Sequence, residues 1–244
     1  MLKMNLSIGR DSPARRFFLI ITGVVFICTT GQGGTIIGNV HAEGKTGAEA
    51  NATEGPYSSR KYKFVERVDY AAMHEFVVYI EGVFVITNGQ PTNILQVVTK
   101  RVAQQGAVFT PHLLPIMAGS TVQWPNHDEI FHNVFSMSEA KQFDLGLYKG
   151  DPPEKKVTFD KPGRVDVFCS IHERMHCIVL VLENPYFAVT DAKGNYKIAD
   201  VPPGGYKLRT WHERLPAAVR EITVPANGEI KVDFVLGIKN LPQY

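Results

Sequence analysis

The chain has 244 residues, 44% of them apolar and 20% charged, which excludes both a disordered polyelectrolyte and a protein with many membrane spans. Its 26 basic and 24 acidic residues nearly cancel, and no basic patch marks a nucleic-acid surface. Once an N-terminal leader is set aside, about 200 residues remain, enough for one large or two small domains.

Arg10, Arg15 and Arg16 precede an apolar run over residues 17–28, and Val40-His41-Ala42 then offers an A-x-A-like cleavage triplet. Residues 1–42 therefore read as a signal peptide, which sends the protein to the periplasm or another extracytoplasmic space. The apolar run is shorter than the roughly 20 residues of a spanning helix; left uncleaved, the leader would keep the protein at the membrane. Ala14-Arg15-Arg16-Phe17-Phe18-Leu19 resembles a twin-arginine signal, and an ordinary basic leader of the Sec type accounts for the same residues. Residues 43–63 are rich in Gly, Ala, Ser, Thr and charge without hydrophobic period, as in a flexible linker.

From Phe64 onward the chain predicts strands and turns, hence an all-β protein. Phe76-Val77-Val78-Tyr79-Ile80 is β-branched and aromatic, Asn88-Gly89 is a turn signal, and residues 94–98 form another apolar run. Thr121-Val122-Gln123-Trp124 alternates, as do Val165, Val167 and Cys169 after Pro162-Gly163, so Cys169 shares an inward face with two valines. Residues 178–182 are apolar throughout, the mark of a strand covered on both faces. Beyond Asn184, short alternating segments around Tyr196, Tyr206 and Ile230 are separated by Lys193-Gly194, Pro202-Pro203-Gly204 and Asn227-Gly228, which describes a small antiparallel sandwich.

The segment Cys169-Ser170-Ile171-His172-Glu173-Arg174-Met175 supplies a thiolate, an imidazole and a thioether within one short loop. Soft sulfur and borderline nitrogen donors select copper over hard cations, and a trigonal Cys-His-His site with a distant axial Met needs a second histidine from elsewhere. His132 follows the strand that ends at Trp124. Zinc fits this set less well, because a thioether is not its usual fourth ligand. Cys177 reads as a core residue, since a bridge to Cys169 would destroy the site; His74, His112, His127, His176 and His212 read as structural, with membership of a second, weaker copper site as the alternative for any one of them.

His132-Asn133-Val134 and the C-x-x-H-x-x-M spacing resemble the plastocyanin and amicyanin group of blue copper proteins. Phe109-Thr110-Pro111, Gly119-Ser120-Thr121-Val122-Gln123-Trp124 and Phe159-Asp160-Lys161-Pro162-Gly163 fall in the order of that family. The two-residue gap between His172 and Met175 is similar to the amicyanin loop, with Glu173 where a proline often stands. The resemblance implies a Greek-key cupredoxin sandwich or barrel over residues 94–183. It also implies copper held by His132, Cys169 and His172 in a rough plane, Met175 axial, and Asn133 bracing the ligand loops. The C-terminal block, residues 184–238, resembles the carboxypeptidase regulatory-like, transthyretin-like domain through Thr190-Asp191, Gly194, Tyr196, Ile198 and Val201-Pro202-Pro203-Gly204. Only half of that pattern is present there, and residues 64–93 are expected to complete its sandwich.

A filled shell leaves no position for substrate, so the expected role is a carrier of single electrons rather than an enzyme, with a cytochrome or a dehydrogenase as redox partner. A copper-delivery protein and a non-redox binding module of the cell envelope are the alternatives. An apolar collar of Leu114, Pro115, Ile130, Ile171 and Met175 is expected to surround the point of electron exchange at His172.

Overall fold

A computed structural model describes residues 33–44, 69–82 and 98–237. The described chain forms eighteen strands and one short 3-10 turn. Two strands come early, β1 (Gly34–Glu43) and β2 (Val77–Ile80). Ten follow in the central region: β3 (Thr99–Arg101), β4 (Ala103–Gln104), β5 (Phe109–Thr110), β6 (Leu113–Met117), β7 (Ser120–Gln123), β8 (His132–Ser138), β9 (Lys141–Tyr148), β10 (Lys156–Phe159), β11 (Gly163–Phe168) and β12 (His176–Leu182). The last six are β13 (Phe187–Val189), β14 (Asn195–Val201), β15 (Gly204–Trp211), β16 (Val219–Val224), β17 (Glu229–Lys231) and β18 (Phe234–Gly237).

The central strands build one sandwich from the sheets β10-β7-β3 and β6-β12-β11-β8-β9. They enclose a core containing Trp124, Val134, Phe159, Val165, Val167, Cys169 and Met175. The two sheets remain separate, so this is an open sandwich and not a barrel. A second sandwich pairs the sheet β13-β2-β15-β16 with the sheet that β14, β17 and β18 form around β1. Its core gathers Ile36, Val40, Phe76, Val78, Ile80, Leu208 and Phe234. This sandwich is not purely antiparallel, because β1 runs parallel to both β17 and β18.

Alternation along two strands explains how the sandwiches stack. On β12, Cys177, Val179 and Val181 face the first core while Ile178, Leu180 and Leu182 face the other way. On β2, Val78 and Ile80 face the second core while Val77 and Tyr79 face away from it. The outward sets meet in a third apolar layer that also holds Leu113, Phe187 and Trp211. Four sheets are thus stacked with three apolar layers between them. A strand with apolar residues on both faces is what such stacking requires.

The last residues of the expected leader, 34–42, lie in β1, with Ile36 and Val40 at most 1% exposed in the second core. Gly38 lies so close to the Val232 carbonyl that a Cβ there would stand 1.9 Å from its oxygen. Val40-His41-Ala42 therefore sits in the middle of a paired strand, where His41 and Ala42 are in register with Val235 and Leu236. The apolar run 17–28 and residues 45–68 and 83–97, including the expected linker and the run 94–97, lie outside the described residues. Among the described residues no helix is long and apolar enough to cross a membrane.

Candidate metal centre

Three donors converge at one end of the first sandwich. His132 opens β8, Cys169 directly follows β11, and His172 lies in the loop between β11 and β12. His132 Nδ1 is 3.0 Å from His172 Nδ1, and Cys169 Sγ is 3.6 Å from the same nitrogen. All three donor atoms lie within 4.8 Å of one another, the only such trio among the described residues. Nitrogen and sulfur donors sharing one ion of zinc or copper size, at bond lengths of about 2.0 and 2.3 Å, must stand roughly 3.3–3.6 Å apart. The sulfur–nitrogen spacing of 3.6 Å meets that requirement, and the two imidazole nitrogens, at 3.0 Å, stand slightly closer than a shared ion would hold them.

The loop holding Cys169 and His172 is folded back by two main-chain hydrogen bonds. Cys169 N–H donates to the Met175 carbonyl at 3.1 Å, and Met175 N–H donates to the His172 carbonyl at 2.9 Å. Met175 is 1% exposed and belongs to the same core cluster as Cys169. His132 is fully buried, Cys169 nearly so, and His172 half-buried. Of the donors, His172 is thus the one that reaches toward solvent.

Asn133 contributes differently from the expected brace between ligand loops. Its backbone N–H points at Cys169 Sγ, 3.5 Å away, while its side-chain amide donates to Asp144 Oδ1 at 3.0 Å. Asp144 also accepts from Gly146 N–H. The side chain therefore secures the β8-β9 hairpin on which His132 stands, and the main chain supplies the contact to sulfur.

Sequence reasoning did not single out Asp128. Its carboxylate lies 2.8 Å from His132 Nε2. It accepts from the backbone N–H groups of Gly106 and Ala107 at 2.7 and 2.9 Å. Those two N–H groups, Ala107 first, and then His132, hold its pKa down to about 2. A carboxylate only accepts, so Nε2 carries the ring proton and the Nδ1 lone pair turns toward Cys169 and His172. The Asn126-His127-Asp128 turn makes this possible: Asn126 Oδ1 accepts from Asp128 N–H, and Asn126 Nδ2 donates to the Ile130 and Tyr148 carbonyls. The available signal was the turn-forming Asn126 followed by an acid four residues before His132.

Among the described residues the other cysteine, Cys177, is no member of the trio. Cys177 is buried with a free thiol, and burial pushes its pKa well above the usual range. The expected collar needs correcting as well. Leu114 and Pro115 lie along β6 in register with Val179 and Leu180, with Pro115 buried, and Met175 is in the core. The exposed apolar side chains on the ligand loops are Ile130, Phe131 and Ile171, each about half exposed.

No protein-family model matches the chain. Among solved structures, a copper-containing nitrite reductase from Thermus scotoductus SA-01 aligns at 27% identity and a TM-score of 0.33, over 35% of this chain and 23% of that one. A reduced amicyanin variant aligns at 24% identity and a TM-score of 0.31, over 34% of this chain and 81% of its own. A purple cupredoxin from Nitrosopumilus maritimus gives 24% and 0.29, over 34% and 98%. The likeness is to cupredoxins, and it is confined to about a third of the chain.

Proposed function

We propose that this chain is an exported type 1 copper protein that carries single electrons between redox partners. The observation that carries this reading is the convergence of His132 Nδ1, His172 Nδ1 and Cys169 Sγ within 4.8 Å of one another. Two imidazoles and one thiolate beside a buried thioether form a copper set; zinc would take a harder fourth ligand. When bound, copper supplies a one-electron couple between its cuprous and cupric states.

The protein's own groups prepare for that couple. Asp128 fixes the tautomer of His132, the Asn133 N–H is directed at the Cys169 sulfur, and the buried Met175 belongs to the same core as Cys169. A donor set already assembled by hydrogen bonds outside the site needs little rearrangement when charge changes. His172, half-buried among exposed Ile130, Phe131 and Ile171, is the exchange point. A small apolar rim suits brief contacts with a cytochrome or a dehydrogenase. The basic and apolar N-terminal segment supports export to the periplasm or another extracytoplasmic space, with any cleavage falling before β1.

The deciding measurement is the visible and paramagnetic resonance spectrum of copper-loaded protein. An intense sulfur-to-copper charge-transfer band with a narrow copper hyperfine splitting is expected. A colourless protein that binds only cuprous ion would replace this reading with copper delivery, and one that binds no copper would leave a cell-envelope binding module.

A further inference from the structure

Where the two sandwiches meet, the seam opens into a cavity of about 300 Å³. Leu113, Ile178 and Trp211 form its apolar wall, and His74, His112 and Glu213 are among its polar residues. It lies beside His176, the first residue of β12, and none of its residues belongs to the centre described above.

Two of its imidazoles are held alike. His74 Nδ1 lies 3.1 Å from the Ala72 carbonyl, and His112 Nδ1 lies 3.3 Å from the His176 carbonyl. A carbonyl only accepts, so each Nδ1 carries the ring proton, and each neutral ring presents an Nε2 lone pair. Tying the far ring N–H to a backbone carbonyl is the usual way in which a protein orients a metal-binding histidine. His112 Nε2 then stands 3.2 Å from Glu213 Oε2. A lone pair and a carboxylate at that distance repel unless they share a cation, whether a proton or a metal ion.

The surroundings favour positive charge. Asp69 and Glu75 also line the cavity, against the single guanidinium of Arg214. Glu75 holds a left-handed backbone (φ 63°) right after His74, a conformation that costs a residue with a Cβ about 1–3 kcal/mol and that collects at functional sites. His212 is committed elsewhere, since its Nδ1 accepts from Arg214 N–H.

We propose that His112, Glu213 and His74 bind a divalent transition-metal cation of the zinc class at this seam. Imidazole and carboxylate donors without sulfur match that class and not cuprous ion. His112 and Glu213 form the fixed part; His74, exposed at the rim with its donor not gathered with theirs, joins the set only by giving up its contact with the Ala72 carbonyl. His112 belongs to the first sandwich, and Glu213 and His74 to the second, so the ion would pin the two together.

The test uses the full chain carrying His132→Ala and Cys169→Ser, which removes the other centre, titrated with zinc by calorimetry. One saturable equivalent is expected, with binding at least about tenfold weaker after His112→Ala or Glu213→Gln, and a zinc-dependent rise in melting temperature that Glu213→Gln abolishes. Circular dichroism checks that each variant folds, and the half-exposed Glu213 provides the substitution least able to disturb folding. No saturable zinc binding below millimolar concentration would overturn the proposal. Binding unchanged in both single variants would also overturn it, and binding unchanged in His74→Ala would remove His74 from the set. None of these outcomes depends on whether the first centre binds copper.

Discussion

His132 and His172, forty residues apart, face each other through their Nδ1 atoms at 3.0 Å, because Asp128 on the far side of the His132 ring accepts the hydrogen bond of the other nitrogen. Cys169 completes the trio. Its replacement by Ser should abolish the charge-transfer band of copper-loaded protein, while the far-ultraviolet circular dichroism stays as in the parent. A variant that remains intensely coloured would move the sulfur ligand elsewhere.

Asp128 connects the centre to pH. Its pKa is depressed in the folded state, so its stabilising contribution is complete above the ordinary carboxylate value near 3.8 and is lost as pH falls toward about 2. Asp128→Asn should cost about 1–3 kcal/mol at neutral pH through the lost charge-assisted hydrogen bonds. Urea midpoints of parent and variant should converge as pH drops from 4 to 2. A gap that stays constant over that interval would show that the carboxylate's charge does not matter.

Met175 is buried but chemically replaceable. Met175→Leu conserves volume and should cost less than about 1.5 kcal/mol. It should retain copper and raise the reduction potential, whereas Met175→Gln should lower it. Loss of copper from the Leu variant, followed by metal analysis after dialysis, would mean that the thioether does more than tune an axial position.

Electron exchange should respond to the rim and not to β6. Ile171→Lys is expected to leave the spectrum intact and slow electron transfer to a physiological partner, while Leu114→Lys should act through the stability of the sandwich, because Leu114 packs against the first core. Stopped-flow traces unchanged by Ile171→Lys would place the port elsewhere.

Strand β1 should be indispensable. Ile36→Ala removes a fully buried side chain from the second core and should cost about 2–5 kcal/mol. A fragment of residues 184–244, which lacks both β1 and β2, should show no cooperative thermal transition. A sharp transition in that fragment would mean that the early strands are ornamental.

Local patterns were legible wherever the sequence states both the spacing and the environment. The alternation of Val165, Val167 and Cys169, and the two-faced apolar run 178–182, read directly as an inward cysteine and a covered strand, and both are found so. The donors of the ligand loop were legible because one short segment carries them all. Asp128 was not, because an acid in a turn has no signature until the turn bonds of Asn126 bring it under the imidazole. Strand β1 was not legible for a related reason. Ile36, Gly38, Val40 and Ala42 alternate inward, but small residues after an apolar run also describe a cleavage site, and the strand emerges only through pairing with residues nearly two hundred positions away.

That distant pairing has a consequence for biosynthesis. Val40 waits for Phe234, and no stretch of the chain between them can substitute, since β18 contributes the final parallel rung. The second sandwich can close only once β18 has been made, and contacts this far apart along the chain form slowly. The central sandwich has all its strands within residues 99–182 and so can fold beforehand. A nascent chain would therefore hold a finished central sandwich beside an unpaired strand β1 until β18 has been made.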